Sequence, residues 1–201
     1  MGLLYSNGEY ILFLDSDQQL NQETLEECTG TCLKEDADAV KIPEVFVGGD
    51  FWGRCSALWK NAVAEALGMA GGIPRFYRAS LLTQKGGFTS GLTFWEDLDL
   101  YERLKAGGTK TAWCNGLITH YENGDLKEVT GKYFSYGKAS AALPNKSAET
   151  NFHKTAKLTL KTLLLILKKP RTPLKIYFGM FIITAIKTFS FCLGLLSKTL
   201  W

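Results

Sequence analysis

The feature that most constrains the fold is a short apolar run that ends at two carboxylates. Residues 9–14 read Glu-Tyr-Ile-Leu-Phe-Leu without alternation, and Asp15-Ser16-Asp17 follows directly. Such a run is typical of a strand buried on both faces, as in a parallel sheet. The pattern then predicts a helix over residues 22–34, capped by Asn21, and a strand over residues 37–43. Strand, helix and strand in this order indicate an α/β fold.

The rest of the chain reads mainly as helices. We predict helices over residues 52–69, 96–106, 132–143, 152–169 and 174–200, a linker over 145–149, and a strand over 111–119 that delivers His120 at its end. In the first helix, we expect Leu25, Cys28, Cys32 and Leu33 to form the buried stripe. A chain of 201 residues suffices for one domain and an appendage. We therefore divide it into a main portion, residues 1–143, and a tail, residues 144–201.

The tail differs in charge from the rest of the chain. Residues 151–201 contain eight Lys, one Arg and no Asp or Glu, although the net charge of the whole chain is only +3. A segment that is both basic and apolar is attracted to hydrocarbon and to the anionic lipids of a cytoplasmic leaflet. Nucleic-acid binding is disfavoured, because the basic residues lie beside a long apolar run rather than among stacking aromatics.

Asp15 and Asp17 lie where ligands bind in open α/β sheets, at the carboxyl end of a strand. At that position both carboxylates can turn toward one divalent cation and the phosphates that it carries. Hard oxygen ligands suit Mg²⁺ or Mn²⁺. The alternative is a solvated turn with a helix-capping Asp. A different divalent-metal phosphotransfer enzyme would also use such a pair.

Two further polar positions are candidates for chemistry. Glu96 and Asp97 open a helix after Phe94-Trp95, and one of them would act as a general base in a partly apolar pocket. They equally suit a structural role, because acidic residues in a first turn complement the helix dipole. His120 is either a metal ligand or a satisfied structural imidazole. A zinc site at Cys28 and Cys32 is disfavoured, because no second Cys or His pair lies nearby in the sequence.

The order of motifs resembles the A-type family 2 glycosyltransferases. It runs through residues 8–17 (Gly-Glu-Tyr-Ile-Leu-Phe-Leu-Asp-Ser-Asp), 37–40 (Ala-Asp-Ala-Val), 75–78 (Arg-Phe-Tyr-Arg), 86–88 (Gly-Gly-Phe), 96–100 (Glu-Asp-Leu-Asp-Leu), Arg103, Gly107 and 118–122 (Ile-Thr-His-Tyr-Glu). The resemblance covers residues 5–140. The later Lys-Tyr-Phe-Ser-Tyr-Gly at 132–137, with the basic tail, is similar to membrane-associated prokaryotic members. The implied fold is a partial Rossmann-like mixed sheet.

The resemblance implies a role for each matching residue. Asp15 and Asp17 would hold the divalent metal, Mn²⁺ or Mg²⁺, and the nucleotide-sugar donor, with Asp17 the more direct ligand. His120 would complete the metal shell. Asp97 would deprotonate the acceptor hydroxyl, flanked by Glu96. The glycines at 86 and 87 would let the backbone pass close to the donor sugar or form a simple turn. The implied reaction is a single displacement at the anomeric carbon.

The resemblance also implies a nucleotide-binding segment before the first strand. Only seven residues precede Gly8 in this chain. We therefore expect a family 2 chain that lacks this segment. It would be a fragment of a working transferase, a polypeptide whose missing half comes from another chain, or an inert remnant or membrane-anchored partner subunit.

The last helix predicts membrane association. Residues 176–196 are long enough to span a bilayer, but Lys187 lies near the middle, where a charge costs about 2.5 to 3.5 kcal/mol. Thr184, Lys187, Gly194 and Lys198 share one stripe, the pattern of a helix lying in the interface. Both modes stay open. If the helix spans, the cations at 168, 169, 171 and 175 place the catalytic side in the cytoplasm, where a lipid-linked or polysaccharide acceptor would be used.

Overall fold

The computed structural model describes residues 2–68, 72–92, 95–140, 148–169 and 172–197, with side chains omitted for 148–156. After a 3-10 turn at Gly2–Tyr5, the strands and helices are β1 (Tyr10–Leu12), β2 (Gln18–Leu20), α1 (Thr24–Glu35), β3 (Ala39–Lys41), β4 (Glu44–Gly48), α2 (Phe51–Leu67), β5 (Phe76–Arg78), α3 (Ala79–Gln84), α4 (Glu96–Ala106), β6 (Thr111–Trp113), β7 (Ile118–Glu122), α5 (Leu126–Ser140), α6 (Ala148–Leu167) and α7 (Leu174–Leu196).

The chain forms two compact units. The first comprises Met1–Val45 and Met69–His120, and the second comprises Phe46–Gly68 and Tyr121–Trp201. The first unit is mixed α/β, and the described elements of the second are chiefly helices. The α/β class with a mixed sheet, predicted from the sequence, is confirmed.

The main sheet of the first unit has the strand order β1-β5-β3-β6. Strand β5 is antiparallel to both β1 and β3, whereas β3 and β6 are parallel. The prediction that the first strand lies in a parallel arrangement, buried on both faces, is wrong. Its three residues are half-buried, because β1 ends the strand order and pairs along one side only. Strand β3, which lies between β5 and β6, is fully buried.

A second sheet, with the order β2-β7-β4, was not predicted. Residues 111–119, expected as one strand, form parts of two strands that belong to different sheets. The chain turns at Gly116, where a Cβ atom would collide with Thr24. The Thr24 hydroxyl donates to the Leu117 carbonyl and accepts from the Leu117 amide, both at 3.2 Å. His120 lies inside β7, opposite Gln18 of β2, rather than at a strand end.

Helix α1 packs through small side chains. Thr24, Cys28 and Cys32, at a spacing of four residues, are buried. Leu25 and Leu33, predicted to share the buried stripe, are 49% and 68% exposed. The Asn21 cap is also corrected, because Glu23 occupies the cap position without a side-chain bond. The sulfur atoms of Cys28 and Cys114 lie 3.6 Å apart in the core that α1 forms with β3 and β5.

The second unit is built around α2, which packs on α6 and α7. The Asp50 carboxylate caps α2 by accepting a hydrogen bond from the Gly53 amide at 2.7 Å. The core of this unit contains the buried side chains of Cys55, Ala62, Ile166, Ile176, Met180 and Ile183. The four long helices were predicted with shifted ends. Residues 141–147 lie outside the described part, so only the end of the predicted linker, where α6 begins, is visible.

Helix α7 also packs closely along α5. A Cβ atom at Gly137 would collide with the carbonyl of Phe191, and one at Gly194 with the carbonyl of Phe134. Lys187 donates to the Ser56 hydroxyl at 2.5 Å, and its ammonium lies 5.2 Å from the centre of the Tyr133 ring. The expected polar stripe of α7 therefore contacts protein at Lys187 and Gly194. Lys198, its last member, lies outside the described residues.

Candidate functional site

The loop after β1 holds the two predicted carboxylates in a closed turn. The Gln18 amide donates to the Asp15 carbonyl, and the Asp15 amide donates to the Gln18 side-chain oxygen, both at 3.0 Å. The Asp15 carboxylate accepts a hydrogen bond from Nη1 of Arg75 at 3.0 Å. The turn thus fixes Asp15 by its backbone and by its side chain, while the carboxylate itself stays 57% exposed.

Strand β7 brings His120 to the same loop. Its Nε2 atom lies 3.4 Å from Oδ2 of Asp17, and its Nδ1 atom lies 3.4 Å from Oε2 of Glu44. Nδ1 is also 3.1 Å from Nε2 of Gln18. The imidazole is therefore held between two carboxylates. The structure brings the predicted residues Asp15, Asp17 and His120 into one network, although 102 residues lie between Asp17 and His120 in the sequence.

Two members of this network, Glu44 and Arg75, carry no predicted role. Nε of Arg75 donates to Glu44 at 3.1 Å while Nη1 binds Asp15, so the guanidinium joins two carboxylates. Burial acts to raise the pKa of Glu44, but the hydrogen bond from His120 and the charge of Arg75 outweigh it and lower this pKa. Burial acts to lower the pKa of Arg75, and the two carboxylates raise it overall. The signal for both residues is their position at the start of a strand, because Glu44 opens β4 and Arg75 directly precedes β5.

The donor set fits a hard divalent cation. Within the described residues, no group of three His, Cys, Asp or Glu side chains is already arranged as a metal site. The 3.4 Å between Asp17 and His120 is close to the spacing of about 3 Å between adjacent ligands in an octahedral shell with bonds of about 2.1 Å. Oxygen and imidazole ligands suit Mn²⁺ and Mg²⁺. Asp17 and His120 would thus hold a metal more directly than Asp15, which binds Arg75.

The predicted acidic pair opens α4. Glu96 and Asp97 are half-buried in its first turn, and Oδ1 of Asp97 accepts from the Leu98 amide at 2.7 Å. The preceding residue, Trp95, has φ of 66°, which is strained for a side chain of this size. Burial and then the charge of Asp97 raise the pKa of Tyr77, so Asp97 lies near β5. Among the described residues, no hydrogen bond or ion pair joins Glu96 or Asp97 to the His120 network.

The predicted glycine pair forms a tight turn tied to the same helix. Gly86 and Gly87 have φ of 76° and 62°, a region that favours glycine. Arg103 of α4 donates to the carbonyls of Gly87 at 2.6 Å and Lys85 at 3.1 Å. Asp99 holds Arg103 at 2.9 Å. The loop and the start of α4 are thereby coupled within the first unit.

Comparison with known proteins finds a family match for the first part of the chain. Residues 1–94 match the family model described as Glycosyl transferase family 2. No curated protein matches the chain, whereas 43 solved chains do. One of them is the crystal structure of S. aureus TarS 1-349, at 13% identity and a TM-score of 0.37. The match covers 94% of this chain and 58% of that one.

The fold is mixed α/β, with an acidic network in the loop after β1. Residues 1–94 match the family 2 glycosyltransferases, and the predicted resemblance to that family is confirmed over these residues.

Proposed function

We propose that the chain serves glycosyl transfer from a nucleotide-sugar donor to a hydroxyl group of a lipid-linked or polysaccharide acceptor. The supporting observation is the network in the loop after β1, in which Asp17 lies 3.4 Å from His120 of β7. Asp15 is linked to the same imidazole through Arg75 and Glu44. The network combines hard oxygen ligands, an imidazole and a partly buried guanidinium, a set suited to a metal diphosphate.

Each residue of the network has a proposed task. Asp17 and His120 hold the divalent metal, Mn²⁺ or Mg²⁺, and Asp15 contributes through the turn that it forms with Gln18. The metal, when bound, supplies Lewis-acid stabilisation to the departing diphosphate. Arg75 fixes Asp15 and Glu44, and Glu44 orients the His120 ring through Nδ1, as second carboxylates commonly do for metal-binding histidines.

Asp97 is the proposed general base. It removes the proton from the acceptor hydroxyl as that oxygen attacks the anomeric carbon, while the bond to the diphosphate breaks, and a single displacement of this kind inverts the configuration. Glu96 flanks it and adds negative charge beside the base. The Gly86-Gly87 turn lets the backbone approach the donor sugar without a Cβ atom in the way. Arg103 keeps that turn beside the helix that carries the base.

The proposed location is the cytoplasmic face of a membrane. Residues 174–196 form one helix that is long and apolar enough to cross a bilayer, and residues 151–201 carry only basic charges. Together they favour contact with anionic lipids, and a lipid-linked acceptor would be found at the same surface. The functional division into residues 1–143 and 144–201 belongs to this proposal.

The test is a nucleotide titration. We expect UDP or GDP to bind the full chain by calorimetry in the presence of Mn²⁺, and EDTA to abolish binding. Asp17→Asn should weaken Mn²⁺-dependent binding at least tenfold, because it removes an anionic ligand.

Asp36→Asn is the matched control. Asp36 is fully exposed on the same unit and adopts φ of 50°, which Asn tolerates. Equal losses in both variants would contradict the assignment of Asp17. No Mn²⁺-dependent binding in the wild-type chain would instead favour the inert or partner-subunit alternative.

A further inference from the structure

Helix α7 exposes one continuous apolar face. Its exposed large side chains are 44% to 84% exposed. They recur every three or four residues on both sides of Ala185, a small exposed residue on the same face. This outer face consists of Leu174, Phe178, Phe181, Phe189, Leu193 and Leu196. Over 23 residues, it extends about 35 Å along the helix. A surface patch of this length marks a binding site for an apolar partner.

The opposite face of α7 is covered by protein. The residues buried there are Ile176, Gly179, Met180, Ile183, Ser190 and Gly194. Gly194 packs on the backbone of α5, and Gly179 packs on Phe51 and Cys55 of α2. Because these contacts are distributed along the helix, α7 is held to α2 and α5 over most of its length.

Those two neighbours carry charges that exclude them from hydrocarbon. Helix α2 contains Arg54, Lys60 and Glu65, and helix α5 contains Lys127, Glu128, Lys132 and Lys138. A charge at the bilayer centre costs about 2.5 to 3.5 kcal/mol. Crossing a membrane in this packing would take several of these charges through the bilayer with α7. The observed packing therefore disfavours a spanning α7.

The charge in the middle of α7 is already satisfied on the protein side. Lys187 donates to Ser56, Ser56 donates to Glu122 at 2.6 Å, and Glu122 also binds Lys60 at 2.5 Å. Lys187 consequently has no need to reach water across the apolar face. Lys175, exposed in the first turn, borders the outer face, and from residue 176 to residue 196 of the described helix that face carries no charged side chain.

The net charge of residues 151–201 indicates which kind of partner covers the outer face of α7. Residues 151–201 carry eight Lys, one Arg and no acidic residue, so a second copy of this segment would bring like charges together. An anionic lipid surface is complementary instead. Helix α6 also exposes Leu160, Leu164 and Leu167 at helical spacing.

We propose that α7 lies flat in the membrane interface, with its outer face in the headgroup and acyl boundary of an anionic bilayer and both ends on the cytoplasmic side. The inference depends on the membrane association proposed above and adds its mode. It is independent of glycosyl transfer, which the nucleotide titration tests separately.

The first experiment measures partitioning of the full chain onto vesicles. We expect binding to phosphatidylcholine vesicles that contain phosphatidylglycerol, weaker binding to pure phosphatidylcholine, and a loss of more than tenfold in the triple variant Phe178→Ser, Phe181→Ser and Phe189→Ser. The control replaces three exposed leucines of the first unit, Leu4, Leu25 and Leu33, by Ser. Circular dichroism checks that both triple variants remain folded.

The second experiment determines on which side each end lies. In a Cys192→Ser background, in which the remaining cysteines are buried, Lys175→Cys and Ser197→Cys introduce one thiol at each end of α7. Both thiols should react with a membrane-impermeant maleimide in inside-out vesicles, and neither should react in right-side-out vesicles. Both variants must also bind vesicles as the wild type does.

Each contrary outcome has a distinct meaning. Labelling of one end in each type of vesicle would show a spanning helix and overturn the flat orientation alone. Absence of vesicle binding by the wild type would overturn both the flat orientation and the membrane association. Dimerisation that the phenylalanine variant abolishes, with no vesicle binding, would identify a second copy as the occupant and overturn the proposal.

Discussion

Arg75 is a single side chain that holds two carboxylates of the site in place. Its guanidinium binds Glu44 and Asp15 at the same time, and only a planar fork has this geometry. We expect Arg75→Met to lower the free energy of unfolding in urea by about 3 kcal/mol, because Glu44 would be left half-buried without its cation. Arg54→Met, at an exposed position, should stay within about 0.5 kcal/mol. Equal effects would contradict a structural role for the Arg75 pairs.

A substitution at Asp97 should affect sugar transfer without affecting nucleotide binding. Asp97→Asn should leave the dissociation constant for UDP or GDP with Mn²⁺ unchanged and reduce transfer by about 10² to 10⁴ fold, because the amide cannot accept the acceptor proton. Glu102→Gln, an exposed position on the same helix, is the control. The readouts are calorimetry and sugar release from the donor. Retained transfer in Asp97→Asn would refute the assignment of the base.

Within single elements, replacing glycine by alanine should have opposite effects on stability in the Gly86-Gly87 turn and inside helix α5. Gly87 has φ of 62°, and an added Cβ would also meet Leu3. Gly87→Ala should therefore destabilise the protein by about 1 to 2 kcal/mol. Gly131, exposed inside α5 with open space around it, should gain about 0.5 to 1 kcal/mol as Ala. Urea unfolding measures both, and a stabilising Gly87→Ala would contradict the strained turn.

Long helices were predictable from the sequence, whereas short strands were not. Helices α2, α4 and α7 have enough turns for periodicity and glycine stops to define them. Strands β2 and β6 have three residues each, too few for any period to stand out. The stripe of α1 was misread because leucine carries more apolar area than cysteine or threonine, although the observed packing has room for the smaller side chains.

The whole molecule should be sensitive to acid in both units. Burial opposes ionisation of Glu122, but Lys60 and Ser56 lower its pKa, and the pKa of Glu44 is lowered similarly. A carboxyl group whose pKa is lowered in the folded state stabilises the protein fully at pH values above its ordinary pKa of 4.5. That contribution is lost as the pH falls below 4.5 through the depressed value.

We therefore expect the free energy of unfolding to fall as the pH drops from about 5 to about 3. Glu122→Gln should make this dependence shallower, because it removes one of the two linked carboxyls. Glu26→Gln, at an exposed position, should leave the slope unchanged. Urea titrations at several pH values provide the comparison, and identical slopes in wild type and Glu122→Gln would contradict the linkage.

Only part of the candidate site could be predicted from the sequence. Asp15, Asp17 and His120 belong to an ordered motif, so their shared location could be expected. Arg75 joins them from the residue before β5, whereas Glu44 of β4 and Gln18 of β2 join through a second sheet that was not predicted from the sequence. Tertiary pairing between distant segments decides such neighbours, and a single sequence holds no local signal for it.

The two hydrogen bonds between Thr24 and Leu117 have a consequence for the strand that follows. The threonine hydroxyl substitutes for a neighbouring strand at the point where β7 begins, three residues before His120. A slip of one residue there would turn the imidazole to the other face of the sheet. The rate of deuterium uptake at the Leu117 amide therefore measures how firmly β7, and with it the imidazole, is held in register. Thr24→Val keeps nearly the same side-chain shape but removes the hydroxyl, so we expect faster uptake at Leu117 in this variant.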